Sequence, residues 1–169
     1  ISAGLLRVAC AANINGQRAD LRTEIAEDCE LSILTFDDED GRWAFRHTAS
    51  HILAQAVKNL YPAAKLAIGP AIDNGFYYDI DLGNDVIKES DLEKIEKEMK
   101  KISKDGKRIY REEISKTEAL ERFKNDPYKI DLIERMEDAV ISCYVQGDFT
   151  DLCRGPHMEN TKEVKYFKL

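Results

Sequence analysis

The sequence lacks the features that would mark a membrane-spanning, exported or nucleotide-binding protein. It contains no apolar run near the ~20 residues that a membrane-spanning helix needs, and no signal-peptide pattern. It also lacks the glycine-rich phosphate loop and the Rossmann glycine pattern, so ATP-dependent chemistry within this chain is not expected. Its four cysteines are scattered rather than arranged as a disulfide framework, which is typical of the reducing cytoplasm.

The composition predicts a soluble globular protein with one domain, or with one domain and part of another. Hydrophobic residues make up 43% and charged residues 34% of the 169 residues. The formal net charge is −7, and an acidic chain binds nucleic acid poorly without specific contacts, because neutralisation of phosphates drives such binding. Any contact with RNA must therefore use local Lys and Arg side chains, or depend on another domain.

Histidine is scarce, and all three histidines lie in two short stretches, 45–51 and 151–157. His47 and His51 are four residues apart in a predicted helix, so their side chains share one face of it. That face is nearly opposite the apolar stripe of the same helix, which argues against ordinary core histidines. The alternative is a pair of solvated imidazoles on the surface.

The second histidine-containing stretch supplies a thiol and an imidazole. Cys153 and His157 are four residues apart, and Gly155-Pro156 between them breaks regular structure, so the stretch is predicted to be a turn that leaves a strand. If folding brings this turn to the histidine helix, the nitrogen and sulfur atoms form a compact site that can hold a metal or activate water. Taken alone, the cysteine is as well explained as a small buried apolar residue.

The hydrophobic pattern predicts helices and strands along the whole chain. Residues 3–11 are typical of the end of a helix, and Asn15-Gly16 is typical of a two-residue hairpin turn. The histidine helix is expected from about Trp43 to just before Pro62. Strands are expected at 30–36, 65–70, 76–81, 108–114, 139–145 and 149–153.

Two further predictions concern the middle of the chain. A helix with Leu92, Ile95, Met99 and Ile102 on one face is expected to pack across a sheet. Asp126-Pro127 is expected to break a helix and to leave Lys129 in the break, where it is either a solvated lysine or part of a site.

Three segments together resemble one known family. Residues 47–51 (HTASH), 67–79 (AIGPAIDNGFYYD) and 151–157 (DLCRGPH) are similar, in this order, to the N-terminal part of bacterial-type threonyl-tRNA synthetases. The resemblance covers nearly the whole chain, including the closing residues 166–169. The wider pattern of HxxxH followed by CxxxH is shared with the editing domain of alanyl-tRNA synthetases and its free-standing relatives.

The resemblance implies a fold and a division into domains. It implies an α+β editing domain over residues 41–169, with an antiparallel sheet packed with helices. It also implies that residues 1–40 are the C-terminal part of a β-grasp (TGS) domain whose first strands are absent. The alternative for residues 1–40 is an N-terminal cap on the following domain.

The resemblance also implies an activity, namely proofreading by hydrolysis of mischarged seryl-tRNA(Thr), while the parent enzyme is an ATP-dependent threonine-tRNA ligase. The implied partners are the 3′ end of tRNA(Thr) and the aminoacylation and anticodon-binding domains of the synthetase, with no membrane. The implied catalytic residues are His47, His51, Lys129, Cys153 and His157. The implied substrate-binding residues are Tyr78 and Asp151.

Metal dependence separates the readings that remain open. The threonyl branch implies that no cofactor is required for editing, whereas the alanyl-type relatives imply zinc. In the second case the ligands would be His47, His51, Cys153 and His157, and the protein would be a zinc-dependent, free-standing trans-editing deacylase. A non-catalytic, TGS-like or metal-stabilised binding module is a further alternative. Covalent catalysis by Cys153 ranks lowest, because so labile an ester needs only activated water.

Overall fold

The computed structural model describes residues 2–169 and shows an α+β fold of small antiparallel sheets packed with helices, as predicted. The N-terminal elements are α1 (Ala3–Leu6), β1 (Ala9–Ile14), β2 (Gln17–Ala19) and β3 (Leu31–Thr35). The following elements are α2 (Glu39–Leu60), β4 (Lys65–Leu66), β5 (Ala71–Ile72), β6 (Gly75–Phe76), β7 (Ile80–Asp81), α3 (Glu89–Asp105), β8 (Ile109–Ser115), α4 (Lys116–Arg122), α5 (Pro127–Arg135), β9 (Val140–Gln146), β10 (Phe149–Leu152) and a 3-10 helix (Thr161–Glu163). Among residues 2–169, no helix combines the length and the apolar character that crossing a membrane requires.

The N-terminal sheet has the strand order β2-β1-β3. The predicted hairpin turn is confirmed, because Asn15 and Gly16 both have positive φ (51° and 82°) and Ile14 pairs with Gln17. The prediction that a helix continues through residue 11 is wrong, because Ala9–Ala12 are buried within β1. Burial against α2 outweighs the intrinsic helix preference of alanine at these positions.

Helix α2 is the central element, and it contacts β1, β3, α3, β5 and β6. It ends before Pro62 as predicted, but it begins at Glu39, four residues earlier than expected. Gly41 allows this start, since a Cβ there would lie 1.8 Å from the Thr35 carbonyl oxygen. The helix is buried on two faces, because later segments cover the histidine face as well as the apolar one.

Helix α3 packs along α2, so the expectation that it packs across a sheet is wrong. Ile95, Met99 and Ile102 are buried in the same core as the apolar face of α2. Full burial of each such side chain stabilises the fold by about 1.5–3 kcal/mol. The apolar stripe of α3 was recognisable in the sequence, but the element that it covers was not.

A second sheet, of order β10-β9-β8, carries the C-terminal half of the site. Its register pairs Asp151 with Tyr144, and Cys153 follows directly after β10. Helix α5 packs beside β4 at the other side of the site. Asp126-Pro127 separates α4 from α5, as predicted. The expectation that Lys129 lies in the break is wrong, because Asp126 caps α5 by accepting hydrogen bonds from the backbone N–H groups of Tyr128 and Lys129. Pro127 occupies the first helical turn, where its missing N–H costs nothing.

Candidate active site

The fold brings the two histidine-containing stretches together. His47 and His51 on α2, and Cys153 and His157 on the loop after β10, place their ligand atoms within 4.8 Å of one another. The three imidazoles are buried, with 2–8% of each residue exposed. Solvated surface histidines, the alternative weighed from sequence, are therefore wrong for this chain.

The environment of His47 fixes which ring nitrogen carries its proton. Nδ1 of His47 lies 3.3 Å from the carbonyl oxygen of Pro156. A carbonyl oxygen only accepts, so Nδ1–H donates to it, and the lone pair is left on Nε2. That Nε2 lies 3.2 Å from Sγ of Cys153.

His157 has the same arrangement, through Thr48. The Thr48 hydroxyl donates to the Ala44 carbonyl oxygen at 2.9 Å, so it can only accept from Nδ1–H of His157, 3.2 Å away. Nε2 of His157 also lies 3.2 Å from Sγ of Cys153. Two imidazole lone pairs and one sulfur atom therefore converge on a common point.

Burial sets the charge of these groups. It lowers the pKa of His47 to about 3, with a further contribution from His51, and it lowers the pKa of His157 well below its ordinary value. Burial also raises the pKa of the Cys153 thiol, although the backbone N–H of Gly155 donates to its sulfur at 3.2 Å. The thiol thus stays protonated near neutral pH, which disfavours Cys153 as a nucleophile.

Asp151 is the centre of a second group of polar side chains. Asp151 is 1% exposed, and its Oδ1 lies 2.5 Å from Nζ of Lys129. The Tyr78 hydroxyl donates to Oδ2, and Nε2 of His51 lies 3.6 Å from the same oxygen. Burial alone would raise the pKa of Asp151, but Lys129, His51 and Tyr78 more than offset it, so that pKa is lowered and the carboxylate is ionised.

Lys129 is a buried part of this group, so the solvated-lysine alternative is wrong. It is 3% exposed, and its Nζ also donates to the Ala67 carbonyl oxygen at 2.8 Å and to the Tyr78 hydroxyl at 3.0 Å. Helix α5 makes this possible, because its first turn points Lys129 towards β10. The sequence showed a Pro-flanked lysine, but not the carboxylate that it would meet.

One cavity of about 810 Å³ contains both groups of side chains. Its lining includes the predicted site residues His47, His51, Tyr78, Lys129, Asp151 and Cys153. His157 lies behind this wall, where its ring stacks on the His47 ring at 4.2 Å. The two groups of side chains therefore face the same cavity, and His157 contacts it only through its neighbours.

Sequence reasoning missed several residues that hold the site in place. Ser50 donates to the Gly69 carbonyl oxygen at 2.6 Å and so fixes the loop that passes over the cavity. Gly69 in turn leaves room for the Tyr78 ring, since a Cβ there would lie 2.1 Å from the ring. Thr48 and Ser50 stand between the two histidines in the sequence, and this position was the one signal that could have identified them.

The donor set fits a zinc ion. His47, His51, Cys153 and His157 supply nitrogen and sulfur, and Nδ1 of two of these imidazoles is already held by an oxygen atom, as is usual for metal-bound histidines. A zinc ion at this position would act as a Lewis acid on a carbonyl or on water.

Comparison with known proteins gives the family. Residues 141–169 match the model of a domain described as the threonyl and alanyl tRNA synthetase second additional domain. The whole chain is 59% identical to a threonine–tRNA ligase of Clostridium acetobutylicum, 58% to one of Acetivibrio thermocellus and 59% to one of Clostridium tetani. The chain spans 27% of the length of each of these relatives. Over its full length, the chain is therefore similar to one part of the threonyl-tRNA synthetases.

Proposed function

We propose that this chain hydrolyses mischarged seryl-tRNA(Thr) and so serves as the editing part of a threonyl-tRNA synthetase. The observation that carries the proposal is the single cavity in which neutral imidazoles face an ionised Asp151 and the Lys129 ammonium. Ester hydrolysis needs a held water, a proton acceptor and a cation near the developing oxyanion. The synthetase family supplies the substrate class, namely an amino acid esterified to the 3′ end of tRNA.

The reaction needs one water molecule and no redox partner. The water oxygen bonds to the ester carbonyl carbon, the ester C–O bond breaks, and the ribose oxygen leaves with a proton, so that serine and uncharged tRNA are formed. His47 is proposed to hold the water and to take its proton, because Nε2 carries a lone pair beside the cavity. Lys129 is proposed to stabilise the oxyanion and to assist the leaving oxygen.

The remaining side chains are proposed to bind the seryl group and to position the catalytic ones. The ionised carboxylate of Asp151 attracts the ammonium group of the amino acid and orients Lys129. Tyr78 bounds the pocket beside Asp151, while His51 and His157 hold His47 in place through ring contacts of 5.1 Å and 4.2 Å. A pocket of fixed shape is needed because binding alone discriminates one methyl group by only about 1–3 kcal/mol.

The domain assignment completes the proposal. We assign residues 1–40 to the C-terminal part of a TGS domain and residues 41–169 to the editing domain. The proposed partners are the 3′ end of tRNA(Thr) and the aminoacylation and anticodon-binding parts of the synthetase, and the proposed location is the cytoplasm.

The test is deacylation of seryl-tRNA(Thr) and threonyl-tRNA(Thr) by the chain, with and without a chelator. We expect the seryl ester to be hydrolysed at least ~10-fold faster, and His47→Ala to lose about 10²–10⁴-fold of that rate. Glu93→Ala, which removes one exposed surface ion pair with Lys97, should keep it. Hydrolysis of neither ester by the unmodified chain would overturn the proposal.

A zinc-dependent deacylase is the second candidate, and the convergence of four ligand atoms within 4.8 Å is the observation that favours it. In that case the chelator would abolish hydrolysis and added zinc would restore it. A rate that the chelator leaves unchanged would leave activation of water by side chains as the mechanism.

A further inference from the structure

The N-terminal sheet forms one wall of the candidate active site. Gly16, in the turn between β1 and β2, lines the same cavity as His47 and Asp151, and so do Gln17 and Arg18 at the start of β2. These three residues are exposed, so they lie at the open mouth rather than in the interior. The cavity is therefore built jointly by the N-terminal hairpin and by the later segments.

Arg18 is held at this mouth in a defined orientation. Its Nε lies 2.9 Å from Oδ1 of Asp40, and its guanidinium carbon lies 4.5 Å from the centre of the Trp43 ring. The other partner of that ring is His47, at 4.5 Å between ring centres. The side chain of Arg18 is 40% exposed. Within residues 2–169, neither Nη nitrogen makes a hydrogen bond, so both are available to a ligand at the mouth.

The substrate places a phosphate near this position. When the seryl ester lies beside His47 and Lys129, the rest of the RNA has to leave through the mouth. The first charged group on that path is the phosphodiester on the 5′ side of the terminal nucleotide. A planar guanidinium whose two NH2 groups are both unused binds a phosphate with two parallel hydrogen bonds.

We propose that Arg18 binds this phosphodiester, so that the N-terminal hairpin is part of the RNA-binding site. The inference rests on the proposed function, since it takes the aminoacylated 3′ end as the substrate. The charges around the cavity support it, because Lys129 is buried against Asp151 and the exposed cations of the lining are Arg18 and Arg154. Of these two, Arg18 is held in place by Asp40 and Trp43, whereas the nearest carboxylate oxygen to Arg154 is 3.8 Å away, on Asp138. Affinity for a phosphate must therefore come from a cation placed at the mouth.

The test compares two substrates that differ in the phosphodiester. One is seryl-adenosine, which has the ester and the ribose but no phosphate, and the other is the seryl ester of the trinucleotide CCA. We expect Arg18→Ala to lower kcat/KM for the trinucleotide about tenfold, mainly through KM, and to change seryl-adenosine hydrolysis less than twofold. Arg18→Lys should recover only part of the loss.

Two controls separate this role from a structural one. Arg22→Ala removes the same charge from the same N-terminal region. Arg22 pairs with Glu159 and does not line this cavity, so this variant should hydrolyse both substrates at unchanged rates. The plot of log KM against log salt for the trinucleotide should lose a slope of about 0.7 in Arg18→Ala, as expected for one phosphate contact on a single strand. An equal effect of Arg18→Ala on both substrates, or no effect on either, would overturn the inference.

Binding of a non-hydrolysable seryl-amide analogue of CCA keeps the two proposals distinguishable. We expect Arg18→Ala to weaken this binding about tenfold, whether or not the ester is hydrolysed. If the chain binds the analogue in this way but hydrolyses neither ester, the proposed hydrolysis fails and the phosphate contact stands. If Arg18→Ala binds as tightly as the unmodified chain, the phosphate contact fails alone.

Discussion

Asp20 accepts a hydrogen bond from the backbone N–H of His157 at 2.9 Å, although 137 positions of sequence separate the two residues. The other carboxylate oxygen of Asp20 accepts from the Tyr144 hydroxyl at 2.6 Å, and the Tyr144 ring lies 4.5 Å from the His157 ring. Asp20 directly follows β2. The N-terminal sheet therefore holds the loop that carries Cys153 and His157.

Removal of this carboxylate should loosen that loop. Asp20→Ala leaves the backbone N–H of His157 and the hydroxyl of Tyr144 without their partner, which should cost about 1–3 kcal/mol of unfolding free energy. We expect seryl-ester hydrolysis to fall about tenfold as well, because the loop positions two of the site side chains. Asp20→Asn, which keeps one acceptor, should have a smaller effect on both measurements.

The control for Asp20 is Asp28→Ala, an exposed acidic residue of the same region. Urea denaturation and initial rates of seryl-ester hydrolysis are measured for both variants. If Asp20→Ala behaves like Asp28→Ala, the hydrogen bond to His157 does not position the loop.

The buried pair Lys129–Asp151 should show strong coupling. The two side chains are 4% and 2% exposed. Lys129→Met or Asp151→Asn alone leaves the other charge buried without its partner, so each should lower the unfolding free energy by about 3–5 kcal/mol. The double variant should lose clearly less than the sum, because neither partner is then left as an uncompensated buried charge. Lys124→Met, which removes an exposed ion pair with Glu121, should change stability by less than about 1 kcal/mol. Urea denaturation of all four variants measures the coupling, and additive losses would contradict it.

The contact between Gly69 and Tyr78 predicts a steric effect on the site. In Gly69→Ala the new Cβ would lie 2.1 Å from the Tyr78 ring, so the ring must shift, and its hydroxyl group, which donates to Asp151, must shift with it. We expect a loss of about 1–3 kcal/mol in unfolding free energy, together with slower seryl-ester hydrolysis. Gly75→Ala is the matched control, because its Cβ would meet nothing within 4 Å. Equal behaviour of the two alanine variants would show that the Tyr78 ring tolerates displacement.

The sequence predicted those parts of the site that depend on local spacing. The interval between His47 and His51 identified a shared helix face, and Gly155-Pro156 indicated that regular structure ends after β10. The prediction that these two stretches meet rested on the assumption that both donor pairs belong to one site. The structure places their ligand atoms within 4.8 Å of one another.

The rest depended on contacts between distant segments. Nothing in the local pattern around Asp20 or Arg18 shows that the N-terminal hairpin will lie against the loop after β10 or at the mouth of the cavity. Lys129 was ambiguous for the same reason, since its burial depends on the position of Asp151 in another sheet. The predicted packing of α3 failed because an apolar stripe determines which face is buried, but not the element that buries it.

Glu96 predicts how stability depends on pH at a position away from the site. Its Oε1 accepts hydrogen bonds from Nζ of Lys168 at 2.6 Å and from the backbone N–H of Leu169 at 2.8 Å, and these contacts lower the pKa of the carboxyl group. Because the folded-state pKa lies below the unfolded value, the unfolded chain binds a proton first as the pH falls. The stabilisation from Glu96 is thus fully present above about pH 5 and is lost as the pH falls through the folded pKa.

Replacement of Glu96 should therefore lower the unfolding free energy most above about pH 5, where its carboxylate is ionised in both states. We expect Glu96→Gln to be less stable than the unmodified chain at pH 7, and the difference to shrink steadily below about pH 4.5, as measured by urea denaturation at half-unit pH intervals. Lys168→Met should reduce the pH-dependent difference without abolishing it, since the backbone N–H of Leu169 still donates to Glu96. A difference that stays constant from pH 7 to pH 3 would show that Glu96 contributes through packing rather than through its charge.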